Sequence, residues 1–272
     1  MKTFPIRFAL LLLLLAAGAS PALAQNKPQV INVPLSRPGE PMSMEISILS
    51  ANIEVIGEDR KDAQFEVSVL DGTRRIITPS GTQTLKADAY TVDVEEKDNH
   101  ISLGSDWRAN HVKVVAHIPR HADLELSTVN DGTITVRNIT GSLELQNTNG
   151  PITATGISGS VIAESVNETI NVSFDKLAAD SVMSLSTLNG DIELGLPADA
   201  GAELQIDSAE GEITSDFEVE VMPTQPVVSR ENKKGGVEVK VESVIIAKIN
   251  GGGTVFKLKT LNGDIQIRKS KP

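Results

Sequence analysis

A nine-residue beat runs through the middle of this chain. It reads TVNDGTITV (Thr128 to Val136), RNITGSLEL (Arg137 to Leu145), QNTNGPITA (Gln146 to Ala154), TGISGSVIA (Thr155 to Ala163) and ESVNETINV (Glu164 to Val172). Glycine takes the fifth place at Gly132, Gly141, Gly150 and Gly159, and Glu168 breaks the series. The unit returns out of phase as STLNGDIEL (Ser186 to Leu194), DSAEGEITS (Asp207 to Ser215) and KTLNGDIQI (Lys259 to Ile267), so the clearest repeats span 128–172 and 186–267. A short fixed period of turn plus strand predicts stacked coils, because no single unit can bury its apolar side alone. The expected fold is all-β: a solenoid-like stack of short strands, of β-helix or β-roll type.

The seventh and ninth places are mostly apolar, as in Ile134/Val136, Leu143/Leu145, Ile152/Ala154, Val161/Ala163, Ile170/Val172, Ile192/Leu194 and Ile265/Ile267. Residues two apart on a strand share a face, so these pairs point inward, and Thr135, Glu144, Thr153, Glu193 and Gln266 point outward. Small inward residues at Ala154 and Ala163 imply a thin interior. Asn-Gly at 149/150, 189/190 and 262/263 predicts tight turns that use positive φ before each strand.

Upstream, strand periodicity marks Met44 to Ile48, Asn52 to Ile56, Gln64 to Val69, Tyr90 to Val94 and Val112 to Ile118. Ala51 to Val55 resembles a glycine-free copy of the unit. Asp71 to Thr84 reads as a long exposed loop, and Asp175 to Asp180 as one helical turn. Glu231 to Gly236 (ENKKGG) reads as a hairpin joining strands at Phe217 to Val221 and Val237 to Val241.

The first 24 residues read as a signal peptide. Lys2 and Arg7 precede an apolar run from Phe8 to Ala17, and Ala22-Leu23-Ala24 is a small-x-small cleavage site before Gln25. The expectation is an exported single domain over 25–272, in the periplasm, at the cell surface or outside the cell. No later segment of the mature chain is apolar enough to span a membrane, and with no cysteine a lipid anchor or disulfide is not expected. The leader holds two of the 25 basic residues and none of the 36 acidic ones, which leaves a mature charge of −13 with His neutral. That charge repels nucleic acid and anionic lipid.

Chemistry is sparse. The position after the central glycine is acidic only at Asp191, Glu212 and Asp264, too few for a calcium β-roll. His111, His117 and His121 lie close in sequence, near Trp107; His111 and His117 share a strand face but stand about 20 Å apart at 3.3 Å per residue. Glu144, Glu164, Asp191 and Glu193 are the carboxylates to weigh for polysaccharide cleavage, and no basic partner or aromatic subsite accompanies them. G-x-S-x-G and phosphate-binding glycine motifs are missing. The reading assigns no catalytic, cofactor-binding or metal residue.

Ser50 to Val55, Val112 to Pro119 leading into Leu124 to Thr128, the repeated Asn-Gly-x-Ile motif, and Gly251 to Gly253 before Leu258 to Ile265 together resemble the bacterial toast-rack, or putative-adhesin, family of β-strand-repeat proteins. The resemblance covers about Ser43 to Lys269 and implies an all-β fold in exported or envelope-facing proteins, with no catalytic residue to carry over. The expected function is a non-catalytic binding, adhesion or envelope-scaffold protein that presents a repeat surface to an envelope protein or polysaccharide. Two alternatives stand beside it: a β-helix carbohydrate-active enzyme, and an extracytoplasmic part of an envelope-stress sensor, which the resemblance alone suggests.

Overall fold

The computed structural model describes residues 28–69, 74–77, 83–86, 92–105, 111–178, 181–223, 227–233, 236–242 and 244–270. Residues 1–24, read from the sequence as a signal peptide, and Tyr90 and Trp107 lie outside them. Each nonapeptide is half a coil: its strand joins one sheet, and the next nonapeptide's strand joins the other. Leu143–Asn147 therefore pairs in parallel with Val161–Ser165, two units on, while Ile152–Ser158 pairs with Ile170–Lys176 in the facing sheet. Ile134 meets Ile152 and Ile152 meets Ile170, so a full coil takes 18 residues.

Eight coils stack into an 11-stranded and a 10-stranded sheet, called here the first and second sheets. Among the described residues the coils, from one end, are 100–105 with 112–119, then 42–58, 122–137, 143–158, 161–176, 183–196, 254–269 and 202–215. The order departs from the chain order at both ends. Met42–Ile48 lies between His100–Ser105 and Ala122–Thr128, and Thr254–Asn262 lies between Met183–Ser186 and Ala202–Glu210, parallel to both neighbours each time. Antiparallel strands then cover open edges of the stack. Gln29–Pro34 and Asp62–Val69 extend the second sheet and Val92–Lys97 the first; at the far end Ile245–Ile249 and Val219–Met222 extend the first.

The seven inward pairs predicted from the repeat are all buried in one continuous aliphatic core, including Ala154 and Ala163. The predicted glycine-free copy, Ala51 to Val55, lies in the strand Ala51–Glu58, with Ile53 against Ile134 and Val55 against Val136. Phe174 and Phe256 meet edge to face at 5.7 Å between centroids inside the core. The DSAEGEITS unit is the exception, since its strand Ile213–Ser215 is exposed on the last coil.

Four local expectations fail. In the Asp71 to Thr84 region, predicted as loop, Arg74–Ile77 pairs with Gln83–Lys86 as a small two-stranded sheet. Asp175 and Lys176 end a strand, and no helix occurs among the described residues. The ENKKGG hairpin exists, but its first strand is Val227–Lys233, paired with Gly236–Glu242, because Val219–Met222 is engaged by Ile245–Ile249. The Asn-Gly glycines do not use positive φ. They are needed for closeness: a β-carbon on Gly132, Gly150, Gly190 or Gly263 would lie 1.7–2.3 Å from a carbonyl oxygen of the neighbouring coil.

Candidate functional site

The repeat converts each sequence place into a straight column at about 4.8 Å per rung. At the turn leading from the first sheet to the second, three columns run side by side. The inner one is polar and buried: Thr128, Asn147, Ser165, Thr187 and Thr260. Three of its side chains satisfy turn carbonyls: Asn147 Nδ2 donates to Gly132 O at 2.9 Å, Thr187 Oγ1 to Glu168 O at 3.2 Å and Thr260 Oγ1 to Gly190 O at 3.0 Å. The next column, one residue on, is aliphatic and faces water: Leu49, Val129, Val166, Leu188 and Leu261, each 37–49% exposed, with Thr148 filling one rung. The third is an asparagine ladder, in which Asn167 donates to Asn149 (2.7 Å), Asn189 to Asn167 (3.0 Å) and Asn262 to Asn189 (2.8 Å). Amide groups suit such a column, since each has both a donor and an acceptor to pass along.

Acidic residues follow this ladder at Asp131, Glu168, Asp191 and Asp264. Two of them have structural work. Asp191 Oδ1 accepts from Asp264 N–H and Asp264 Oδ1 from Glu212 N–H, each at 2.8 Å, so these carboxylates clamp successive coils.

The outer face of the first sheet is acidic toward one end. Glu45, Glu125 and Glu144 stand in register on three adjacent parallel strands, beside Asp123 and His100 in a groove of about 420 Å³. Further along the same face come Lys257 and Lys259, the latter 2.7 Å from Asp207. The second sheet presents hydroxyls and amides at Thr133, Thr135, Thr153, Thr155 and Asn171. Near its covered end, Glu54 pairs with Arg137 and Lys113, and His117 Nδ1 lies 2.8 Å from Glu58. Arg60 bonds Asp62 at 3.0 Å, and that hydrogen bond holds the Asp62 carboxyl below its ordinary value.

The four weighed carboxylates do not converge. Glu144 and Glu164 project from the first sheet; Glu193 projects from the second, where Asn171 Nδ2 donates to it at 2.6 Å, and Asp191 sits at the turn. The shared strand face of His111 and His117 is also corrected: His111 precedes the strand Val112–Pro119 with φ +55°, outside its alternation. His121 forms an isolated bridge with Thr140. Among the described residues no three His, Asp or Glu side chains gather as a metal site. Also among them, no helix is long and apolar enough to cross a membrane.

Sequence reading missed the aliphatic column, although its signal was present. Ser/Thr-aliphatic-Asn recurs at 128–130, 165–167, 187–189 and 260–262. An apolar residue beside a turn has no strand alternation to assign it a face, so only the coil geometry shows that it points outward.

A family model described as Toastrack DUF4097 matches residues 105–268. Among solved structures, one described as a putative cell adhesion protein from Clostridium sporogenes ATCC 15579 is 11% identical, with a TM-score of 0.46 over 90% of this chain and 100% of its own. Another, described as a putative adhesin from Bacteroides fragilis NCTC 9343, is 12% identical, with a TM-score of 0.38 over 89% of this chain and 98% of its own. At these scores neither likeness bears on function. No curated protein matches the chain.

Proposed function

The chain belongs to the Toastrack DUF4097 family, and from that premise we propose that it is an exported, non-catalytic binding or envelope-scaffold protein. The observation that supports this most is the stack itself: coils around one filled aliphatic core hold outward side chains in straight rows at fixed spacing. The carboxylates that do come close, Glu45, Glu125 and Glu144, stand in one such row on the first sheet, so the enzyme alternative is tested at Glu125 and Glu144 as well.

The scaffold suits presentation of a surface. Parallel coils locked by glycine contacts and an asparagine ladder hold long rows of side chains at fixed spacing, which gives a partner many weak contacts in register. Screening the exported protein against peptidoglycan and envelope polysaccharides, with binding and product release measured in parallel, tests the reading. Retention on an envelope component without turnover is expected. Cleavage abolished by Glu125→Gln, Glu144→Gln, Glu164→Gln, Asp191→Asn or Glu193→Gln in a folded protein would replace this reading with the enzyme alternative.

A further inference from the structure

The aliphatic column at the turn edge runs over six rungs and is interrupted once, by Thr148. Asn130 N–H donates to Leu49 O (2.8 Å), Asn167 to Thr148 O (3.2 Å), Asn189 to Val166 O (2.7 Å) and Asn262 to Leu188 O (2.9 Å), so the residues carrying these side chains stand on successive rungs. Five steps at about 4.8 Å make a ridge about 24 Å long. Exposed apolar residues scattered singly need no explanation, but five aligned on one edge form a patch of the kind that marks a contact surface.

The chemistry beside the ridge selects its occupant. Over the rungs from Val129 to Leu261, the carboxylates of Asp131, Glu164, Glu168, Asp191 and Asp264 flank it, against one nearby base among the described residues, Lys259, already paired with Asp207. Glu210 and Glu212 extend the acidic flank onto the last coil. A second copy would bring the same acidic flank against itself, which like-charge repulsion disfavours. An anionic membrane is repelled by the same charge.

Spacing then selects the conformation. The backbone groups at these turns are bonded to the next coil, which leaves no free sheet edge for a strand to extend. Side chains on one face of an extended strand repeat at about 6.7 Å and fall out of step with the rungs. An α-helix repeats at about 5.4 Å per turn and stays within about 3 Å of register over the whole ridge, which matches about 16 helical residues. We propose that this edge docks a cationic amphipathic helix of a partner protein, its apolar stripe on Leu49, Val129, Val166, Leu188 and Leu261 and its Lys or Arg side chains on the acidic flank. The assignment rests on the binding-module reading and names its surface and partner class.

The test uses the full chain and a fluorescent 18-residue helical peptide with a leucine stripe flanked by lysines, read by anisotropy. Binding should weaken at least tenfold for the double variant Val166→Ser/Leu188→Ser, and again for Asp131→Asn/Glu168→Gln. It should be unchanged by Thr153→Ser on the second sheet and absent for the same peptide with glutamate replacing lysine. All these positions are at least partly exposed, and thermal melts confirm that each variant folds. No binding, binding indifferent to the ridge variants, a dimer that the ridge variants dissociate, or ridge-dependent attachment to anionic vesicles would each overturn the assignment. Turnover of an envelope polymer would instead end the binding-module reading while leaving the peptide result intact, so the two failures are distinguishable.

Discussion

Gly150 packs against Gly132 so tightly that a β-carbon on Gly150 would lie 1.7 Å from the Gly132 carbonyl oxygen. The glycine beat of the sequence is thus a record of how closely the coils approach. Gly150→Ala must push two coils apart and should destabilise the fold by more than about 2 kcal/mol, within the range of overpacked interiors. Gly104→Ala is the control: nothing lies within 4 Å of its β-carbon position and its φ is not positive, so the change should be neutral or slightly stabilising. Equal denaturation midpoints for the two variants would contradict the close-approach account.

Burial separates two neighbours in the same strand. Ile152 is fully buried and Thr153 is only partly so. Ile152→Asp removes a burial contribution of about 1.5–3 kcal/mol and adds a desolvated carboxylate, whereas Thr153→Asp places charge at a wet face. Urea midpoints should fall steeply for the first and little for the second. A reversed order would mean that the strand presents its other face to the core.

The asparagine ladder predicts a ranking. Asn189 takes part in two rungs, to Asn167 and Asn262, and Asn262 donates one. At about 0.5–1.5 kcal/mol per hydrogen bond, Asn189→Ala should cost about twice as much as Asn262→Ala, and the double variant less than the sum because the 189–262 bond is counted in both. Strict additivity in thermal melts would show that the ladder bond contributes nothing.

Acid should loosen one contact at the covered end of the stack. Glu96 accepts from Ser36 N–H (3.0 Å), from the Ser36 hydroxyl (2.9 Å) and from Asn99 N–H (3.0 Å). The Ser36 backbone bond leads the contributions that hold its carboxyl below the ordinary value of 4.5. A depressed carboxyl stabilises the fold above its unfolded pKa, and that contribution is lost as pH falls through the lower folded value. Protection of the Ser36 amide against hydrogen exchange, corrected for intrinsic rates, should fall with acidification below about pH 4.5, and Glu96→Gln should flatten that dependence. Protection that rises on acidification would reverse the sign and refute the assignment.

Much of the fold is legible in the nonapeptides because burial imposes period two on each strand and stacking imposes glycine at the turns. Ile134, Leu143, Ile152 and Val161 read as inward on that ground, and all four are buried. The alternation of units between two sheets was not legible, since both sheets demand the same inward pairs. Nor was the coil order, because parallel neighbours with identical patterns fit one another equally well. Glu144 and Asp191 could be named as candidates from residue type, yet their separation depends on sheet assignment, which the repeat alone does not supply.

The coil order sets Leu188 and Leu261 on successive rungs of one edge. The chain contains no cysteine, so introduced pairs report without interference. Ser184 is paired with Lys257, and Lys257 with Gln205, while Ser184 and Gln205 stand two strands apart. Oxidation should therefore yield disulfides in Ser184→Cys/Lys257→Cys and Gln205→Cys/Lys257→Cys, whose Cα atoms lie at about one strand spacing, within the reach of a disulfide. Ser184→Cys/Gln205→Cys, at about 10 Å, should remain reduced. Efficient cross-linking of 184 to 205 with none of 184 to 257 would mean that the coils stack in chain order, and Leu261 would lose its place on the rung beside Leu188.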